Sequence, residues 1–118
     1  MTKASFTQFG PTFQEKIVQA LLVDKTWAQQ VSEIIDTDYF DLEYLKYLGT
    51  QYFSYFLKYK NFPTFQLLIT IVRDDFKNNK SDDTALRDQV IDYLHRMKNN
   101  PEAQDLKFVK EKTFDFCR

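Results

Sequence analysis

Glycine is the scarcest structural residue in this chain, with only Gly10 and Gly49 among 118 residues. Phosphate-binding loops of the form G-x-x-x-x-G-K-[ST] and dinucleotide-binding turns of the form G-x-G-x-x-G both need glycines at close spacing, because the backbone must approach the phosphates. Two glycines so far apart can form neither loop. The chain as given therefore cannot bind a nucleotide in either of these ways.

Cysteine and histidine are scarcer still, with one of each. The single thiol, Cys117, cannot form an internal disulfide and is typical of a reducing, intracellular compartment. His95 has no second histidine with which to share a metal ion, and its charged helical neighbours favour an exposed position. Acidic pairs such as Asp74 and Asp75 point in different directions on a helix, so they do not converge for acid–base chemistry. We expect no catalysis, no cofactor and no bound metal in this chain.

Long apolar runs and an excess of one charge are also missing. The longest aliphatic stretch, residues 20–23, is far too short to span a membrane, and the N-terminus lacks the apolar core of a signal peptide. The 16 basic and 17 acidic residues nearly balance, which argues against the broad basic face of a stand-alone duplex-binding protein. We expect a cytoplasmic protein with no membrane contact and weak or no direct binding to nucleic acid.

Helical periodicity is what the sequence does contain, from end to end. It predicts an all-α fold: a compact single domain over residues 1–118, built as a bundle of about six helices. Residues 12–99 are expected to form the globular head, and residues 101–118 the start of an exit helix that leads to a linker or helical hairpin. Helix-starting signals occur at Thr12, Thr26, Asp41, Thr64, Ser81 or Asp82, and Asn100 followed by Pro101.

The stretch "YLGTQYFSYFLKYKNFPT" from Tyr47 to Thr64 has seven aromatic residues among eighteen. Such a run could stack nucleic-acid bases or form the centre of a core. A stacking surface usually carries cations between exposed rings, and few occur here. The third helix is predicted from Leu42 to about Lys60. At 100° per residue, large apolar side chains lie along one stripe of this helix, and Tyr47 lies on its polar side. The core interpretation is favoured, with a stripe formed by Leu45, Leu48, Tyr52, Phe56 and Tyr59.

The order of residues from Phe13 to Leu68 resembles the N-terminal domain of DnaB-type replicative DNA helicases, especially those of large tailed phages. The matching features are a glutamate helix ending in a leucine pair and an acidic residue, an acidic turn "DTDYF" into an aromatic, and a long helix that ends at "KNFPT" before a leucine helix. The residues concerned are Glu15, Leu21, Leu22, Asp24, Phe40, Pro63, Leu67 and Leu68. The segment "NNPEAQDLKFVKEKTFDFCR" is similar to the family's helix toward the linker. Gln19 and Tyr44 stand where bacterial members usually have glycine and histidine, which favours a phage-like branch.

The resemblance implies an all-helical collar that hydrolyses nothing. In the family, this domain supports assembly of the helicase ring and docks primase and, in some systems, a helicase loader, while a separate C-terminal motor domain uses ATP. The implied partners are therefore other helicase subunits, a primase and a loader, in the cytoplasm of an infected bacterium. Part of the family's dimer contact comes from a helical hairpin, and this chain would stop within or after its first helix. The sixth helix also reaches Arg118 without a terminating residue, so we expect the gene to continue.

The sixth helix carries more large apolar residues, over a wider angle, than an end helix can bury alone. We therefore predict that it supplies the partner interface, with the alternative that some of these side chains pack on the third and fifth helices. The candidates are Phe108, Val109, Phe114 and Phe116.

Two other functions stay open on the sequence. One is a nucleic-acid-binding helical module that would use the cations around the third and fourth helices, namely Lys58, Lys60, Arg73, Lys77 and Lys80. The other is a free-standing small phage adaptor protein, whose gene would end near Arg118.

Overall fold

The computed structural model of the protein describes residues 4–80, 82–99 and 105–118. Six α-helices account for most of these residues, and no β-strand occurs among them. Single turns of 3-10 helix lie at Phe6–Phe9 and Thr37–Tyr39. The α-helices are α1 (Gly10–Val23), α2 (Lys25–Ser32), α3 (Glu43–Tyr59), α4 (Phe65–Asn78), α5 (Thr84–Asn99) and α6 (Leu106–Cys117). The predicted all-α fold of about six helices is confirmed.

Helix α3 lies at the centre, with α1, α4 and α5 packed around it, while α6 packs on α1 and also contacts α2. Leu45, Leu48 and Tyr52 on α3 are buried, and the Tyr52 hydroxyl donates a hydrogen bond to the carbonyl oxygen of Leu21 at 2.5 Å. Phe62, which follows the helix, stacks on the Tyr52 ring with 5.1 Å between centroids. The middle of the aromatic stretch is therefore packed in the core.

The two ends of the predicted stripe behave differently from its middle. Tyr59, the last residue of α3, is exposed. Tyr47, expected on the polar side, is buried instead, packs on the ring of Phe76 and donates a hydrogen bond to Asp75 at 2.6 Å. The expectation for Tyr47 was wrong. It assumed that one face of α3 is exposed to water, whereas α4 packs against that face.

Helix starts follow the predicted polar residues only in part. The Thr64 hydroxyl accepts a hydrogen bond from the Leu67 amide at 3.1 Å, so the predicted cap of α4 is confirmed. Helix α1 begins at Gly10, with Pro11 in its first turn, so Thr12 lies inside the helix and caps nothing. The residue before α3 is Leu42, which makes no side-chain cap, and the amide of Asp41 instead donates to the Gln14 side chain at 3.2 Å.

Helices α2 and α5 also start from neighbours of the predicted caps. Asp24, not Thr26, caps α2. The Asp83 carboxylate accepts a hydrogen bond from the Leu86 amide at 3.2 Å, so Asp83 performs that role at α5. The remaining predicted start signals, Ser81, Asn100 and Pro101, lie outside the described residues.

The packed unit is larger than the predicted head of residues 12–99. Phe6 is completely buried and belongs to the same core as α1 and α3. At the other end, α6 buries Leu106 and Val109 against the bundle, so the described part of the predicted exit helix lies on the head. Among the described residues, no helix is both long enough and apolar enough to cross a membrane.

Gly49 lies where the turn before α3 packs against that helix. A Cβ atom at this position would come within 3.3 Å of Thr37 Cγ2 and 3.4 Å of the Phe40 ring. Phe40 is itself completely buried. The missing side chain therefore lets the turn at residues 37–40 lie directly on α3.

Replacing Asp24 with alanine should lower the free energy of unfolding by about 1–2 kcal/mol, because a side-chain N-cap is lost. The Asp24 carboxylate accepts the Trp27 amide at 3.0 Å and pairs with the Lys110 ammonium at 2.8 Å. The Lys110 hydrogen bond is the main reason that the pKa of Asp24 lies below its usual range. Urea unfolding of Asp24→Ala measures the loss. Thr26→Ala is the matched control and should change little; an equal loss in both variants would contradict the assignment of the cap.

Candidate interaction surfaces

The four predicted interface residues do not form one surface. Val109 is 2% exposed and packs in the core beside Leu106, so it cannot contact a partner while the domain is folded. Phe116 packs on the rings of Phe6, Phe9 and Tyr39, with centroid distances of 5.2, 5.6 and 5.4 Å. The inclusion of Val109 was therefore wrong, because α6 lies along α1 and α2 and buries its inner stripe there. The alternative was that some of these side chains pack on the third and fifth helices. Instead, α6 packs mainly on α1 and α2.

Phe108 and Phe114 lie at opposite edges of α6, about 120° apart around its axis. Phe108 is 57% exposed, its ring lies at 84° to that of Phe13 with 6.5 Å between centroids, and the Lys112 ammonium lies above it at 5.6 Å. Phe114 is half-buried on the other edge. Phe108 and Phe114 therefore remain candidates for contact with a partner, but they belong to two separate surfaces.

A shallow cavity of about 440 Å³ lies between α2 and α6 at the Phe114 edge. Trp27 and Phe114 supply its apolar walls, and most of the remaining lining is charged or polar. Lys110 is already paired with Asp24. This mixture of signs gives the cavity no strong preference for a charged ligand. Its other lining residues are Gln30, Lys107, Glu111 and Asp115.

A second surface, the α4/α5 groove, separates two helices that both pack on α3. Two adjoining cavities of about 170 and 420 Å³ make up this groove, and they share Val72, Arg73 and Ile91. The Ile91 side chain is 47% exposed, although isoleucine is among the residues most often buried. The apolar lining of the groove consists of Phe65, Ile69, Val72, Phe76, Ile91 and Leu94.

The rim of the α4/α5 groove is basic. Its charged residues are Arg73, Lys77, Arg87 and Lys98, and His95 lies on the same side. None of the described residues that line the two cavities is acidic. Arg87 has a loose contact with Asp88 at 3.4 Å. The structure brings together only two of the five cations proposed for nucleic acid, Arg73 and Lys77, on this rim.

The basic rim was missed in the sequence because its members come from two helices. Arg87, Ile91, His95 and Lys98 recur at three- and four-residue steps on α5, which places them on one face. That spacing is the signal that could have identified the α5 side. Its combination with Arg73 and Lys77 depends on how α4 and α5 are placed on α3.

The single histidine and the single cysteine have different surroundings. His95 is exposed and contacts Asn99 at 3.0 Å. Burial raises the pKa of the Cys117 thiol to about 11, so little thiolate, the nucleophilic form, is present at neutral pH. No three His, Cys, Asp or Glu side chains of these parts converge to hold a metal ion.

Comparison of the chain with protein-family models, curated proteins and solved structures gave no significant match.

Proposed function

We propose that this chain is the N-terminal interaction domain of a phage-type replicative DNA helicase. In this role it is a non-catalytic collar that supports ring assembly and docks a primase or loader during DNA replication, in the cytoplasm of an infected bacterium. The observation that carries the proposal is the ordered set of residues from Phe13 to Leu68 that resembles DnaB-type N-terminal domains.

The geometry is compatible with a domain that binds other proteins. The segment that carries the resemblance comprises most of α1, all of α2 and α3 and the start of α4, which together form much of one core. Outside that core, Phe108 exposes more than half of a large aromatic side chain. Aromatic residues, phenylalanine among them, are enriched in protein interfaces relative to the rest of the protein surface.

The gene sequence downstream of the Arg118 codon tests this proposal directly. A helicase subunit requires a further motor domain with a G-x-x-x-x-G-K-[ST] loop, since this chain has too few glycines to provide one. A reading frame that continues into such a domain would support the proposal. A stop codon close to Arg118 would contradict it and favour the free-standing adaptor.

Self-association gives a second test, on the Phe108 surface. If this surface contributes to ring assembly, Phe108→Asp should weaken self-association of the full-length protein by about tenfold or more, equivalent to at least about 1.4 kcal/mol. Sedimentation velocity over a concentration series measures the effect. Leu57→Asp is the matched control, because Leu57 is 68% exposed on α3 and the substitution adds the same charge. Equal behaviour of the two variants would exclude a specific role for Phe108.

A further inference from the structure

We propose that the α4/α5 groove is a docking site for an acidic amphipathic helix of a partner protein. This surface differs from the Phe108 surface, and the inference holds whether or not the chain belongs to a helicase. It rests on three features of the groove: its apolar lining, its length and its positive rim, in which Arg87 is the one cation that contacts a described carboxylate, that of Asp88.

The apolar lining runs along both helices that border the groove. On α4, Phe65, Ile69, Val72 and Phe76 follow one another at three- and four-residue steps. Phe65 and Ile69 are partly exposed, and Val72 and Phe76 are buried at the floor of the groove. The eleven steps from Phe65 to Phe76 span about 16 Å, or about three helical turns. A partner helix of about the same length can therefore place side chains at i, i+3 or i+4 and i+7 along the groove, as helices do in other apolar grooves.

A helix suits this groove better than an extended strand. The backbone amides and carbonyls within α4 and α5 are bonded inside those helices, so they cannot pair with a strand laid between them. A bound strand would lose water from its own backbone groups without replacement partners, which costs free energy. A helix satisfies those groups internally and needs only side-chain contacts.

The positive rim determines the sign of the partner. Arg73, Lys77 and Lys98 form no ion pair with any described residue, and no described acidic residue lines the groove. Glutamate or aspartate on the flanks of a bound helix would meet these cations at the edge of an apolar contact. Such complementarity raises the association rate and disfavours basic partners.

Nucleic acid is a poorer occupant than an acidic helix. The groove is lined largely by aliphatic side chains, and of its two rings Phe76 is buried and Phe65 is partly buried, whereas a single-strand binding surface presents exposed rings for base stacking. The exposed Ile91 offers a base no stacking partner, but it can bury apolar area against a leucine of a helix.

A designed peptide tests the proposal without knowledge of the natural partner. The probe is a fluorescein-labelled helical peptide of about 15 residues, with leucine at i, i+4, i+7 and i+11 and glutamate on both flanks. We expect saturable binding to the wild-type domain by fluorescence anisotropy at low salt. A matched peptide with lysine in place of glutamate should bind at least tenfold more weakly.

Variants of the protein locate the binding to the groove. Arg73→Glu/Lys77→Glu and, separately, Ile91→Asp should each weaken binding of the acidic peptide by tenfold or more. Lys25→Glu/Lys112→Glu is the matched control: it changes the net charge equally, and both residues are exposed and line neither cavity. It should alter the affinity less than twofold. Arg73→Gln/Lys77→Gln gives a milder version of the same change if charge reversal disturbs folding, as judged by circular dichroism.

Several outcomes would overturn the inference. These are absence of acidic-peptide binding at low salt, equal binding of the basic peptide, and an equal loss of affinity in the control variant. A further contrary result is tight binding of a thymidine oligonucleotide of about 20 nucleotides that Arg73→Glu/Lys77→Glu abolishes while the acidic peptide fails to compete. That pattern would assign the rim to nucleic acid. None of these outcomes bears on the gene sequence beyond Arg118, so the helicase proposal is tested separately.

Discussion

Phe6→Ala should lower the free energy of unfolding by about 3–5 kcal/mol, the usual cost of removing a completely buried phenylalanine. The Phe6 side chain has no exposed area and packs on Phe40 and Phe116 at centroid distances of 5.1 and 5.2 Å. It therefore joins the N-terminal turn to the loop before α3 and to the end of α6. Urea unfolding followed by circular dichroism measures the loss.

Phe108→Ala is the matched control for Phe6→Ala, since it removes the same atoms from a mostly exposed position. Its effect on stability should stay within about 0.5 kcal/mol, as for most surface substitutions. If Phe6→Ala were as mild as Phe108→Ala, the N-terminal turn would not belong to the core, and a head that begins near residue 12 would be the better description.

Arg96→Met should cost about 1–3 kcal/mol, because it leaves the half-buried Glu15 carboxylate without its main partner. The Arg96 guanidinium donates to both carboxylate oxygens of Glu15 at 2.9 Å and also to Asp92 at 2.9 Å. The Tyr44 hydroxyl donates to Glu15 Oε2 at 2.6 Å, and the Tyr93 hydroxyl donates to the backbone carbonyl of Glu15. This cluster connects α1, α3 and α5. Chemical unfolding at neutral pH measures the cost.

The Glu15 contribution should also depend on pH. Burial by itself raises the pKa of Glu15, but the hydrogen bonds from Arg96 and Tyr44 outweigh it and bring the pKa below its ordinary value of 4.5. Because the folded state binds this proton less readily than the unfolded state, the stabilisation is fully present above pH 4.5 and is lost as the pH falls through the lower, folded-state pKa.

The stability difference between wild type and Glu15→Gln isolates this titration from those of other carboxylates. We expect the wild type to be more stable at neutral pH and the difference to shrink below pH 4.5. A difference between wild type and Glu15→Gln that stays constant on acidification would show that the charge of Glu15 does not contribute.

Arg87→Met is the control for Arg96→Met. The ion pair of Arg87 is with the exposed Asp88, at 3.4 Å, so Arg87→Met should lower the free energy of unfolding only slightly.

Local signals in the sequence were sufficient for the helices but not for every residue that starts them. The 3.6-residue periodicity of α3 and α4 depends only on near neighbours, so their positions could be read directly. Asp24 and Thr26 both have cap chemistry, and Asp24 is the one that also reaches Lys110 on α6. Glu15 stands three residues after Thr12, the spacing of a capping box, whereas its partners Tyr44 and Arg96 come from distant parts of the chain. Such choices between equivalent local options depend on long-range contacts.

The candidate surfaces, like the helix caps, could be predicted from the sequence only in part. The excess of apolar residues on α6 is visible in the sequence, but which of them face inward depends on α1 and α2, and these helices bury Val109 while leaving Phe108 exposed. The α4/α5 groove needs two helices placed side by side on a third. The all-α class, the positions of the helices and the lack of nucleotide-binding loops could be predicted from the sequence, since each depends on residue type and short-range spacing. The covered side of α3, the partners of Glu15 and the basic rim could not, because they depend on contacts between residues far apart in the chain.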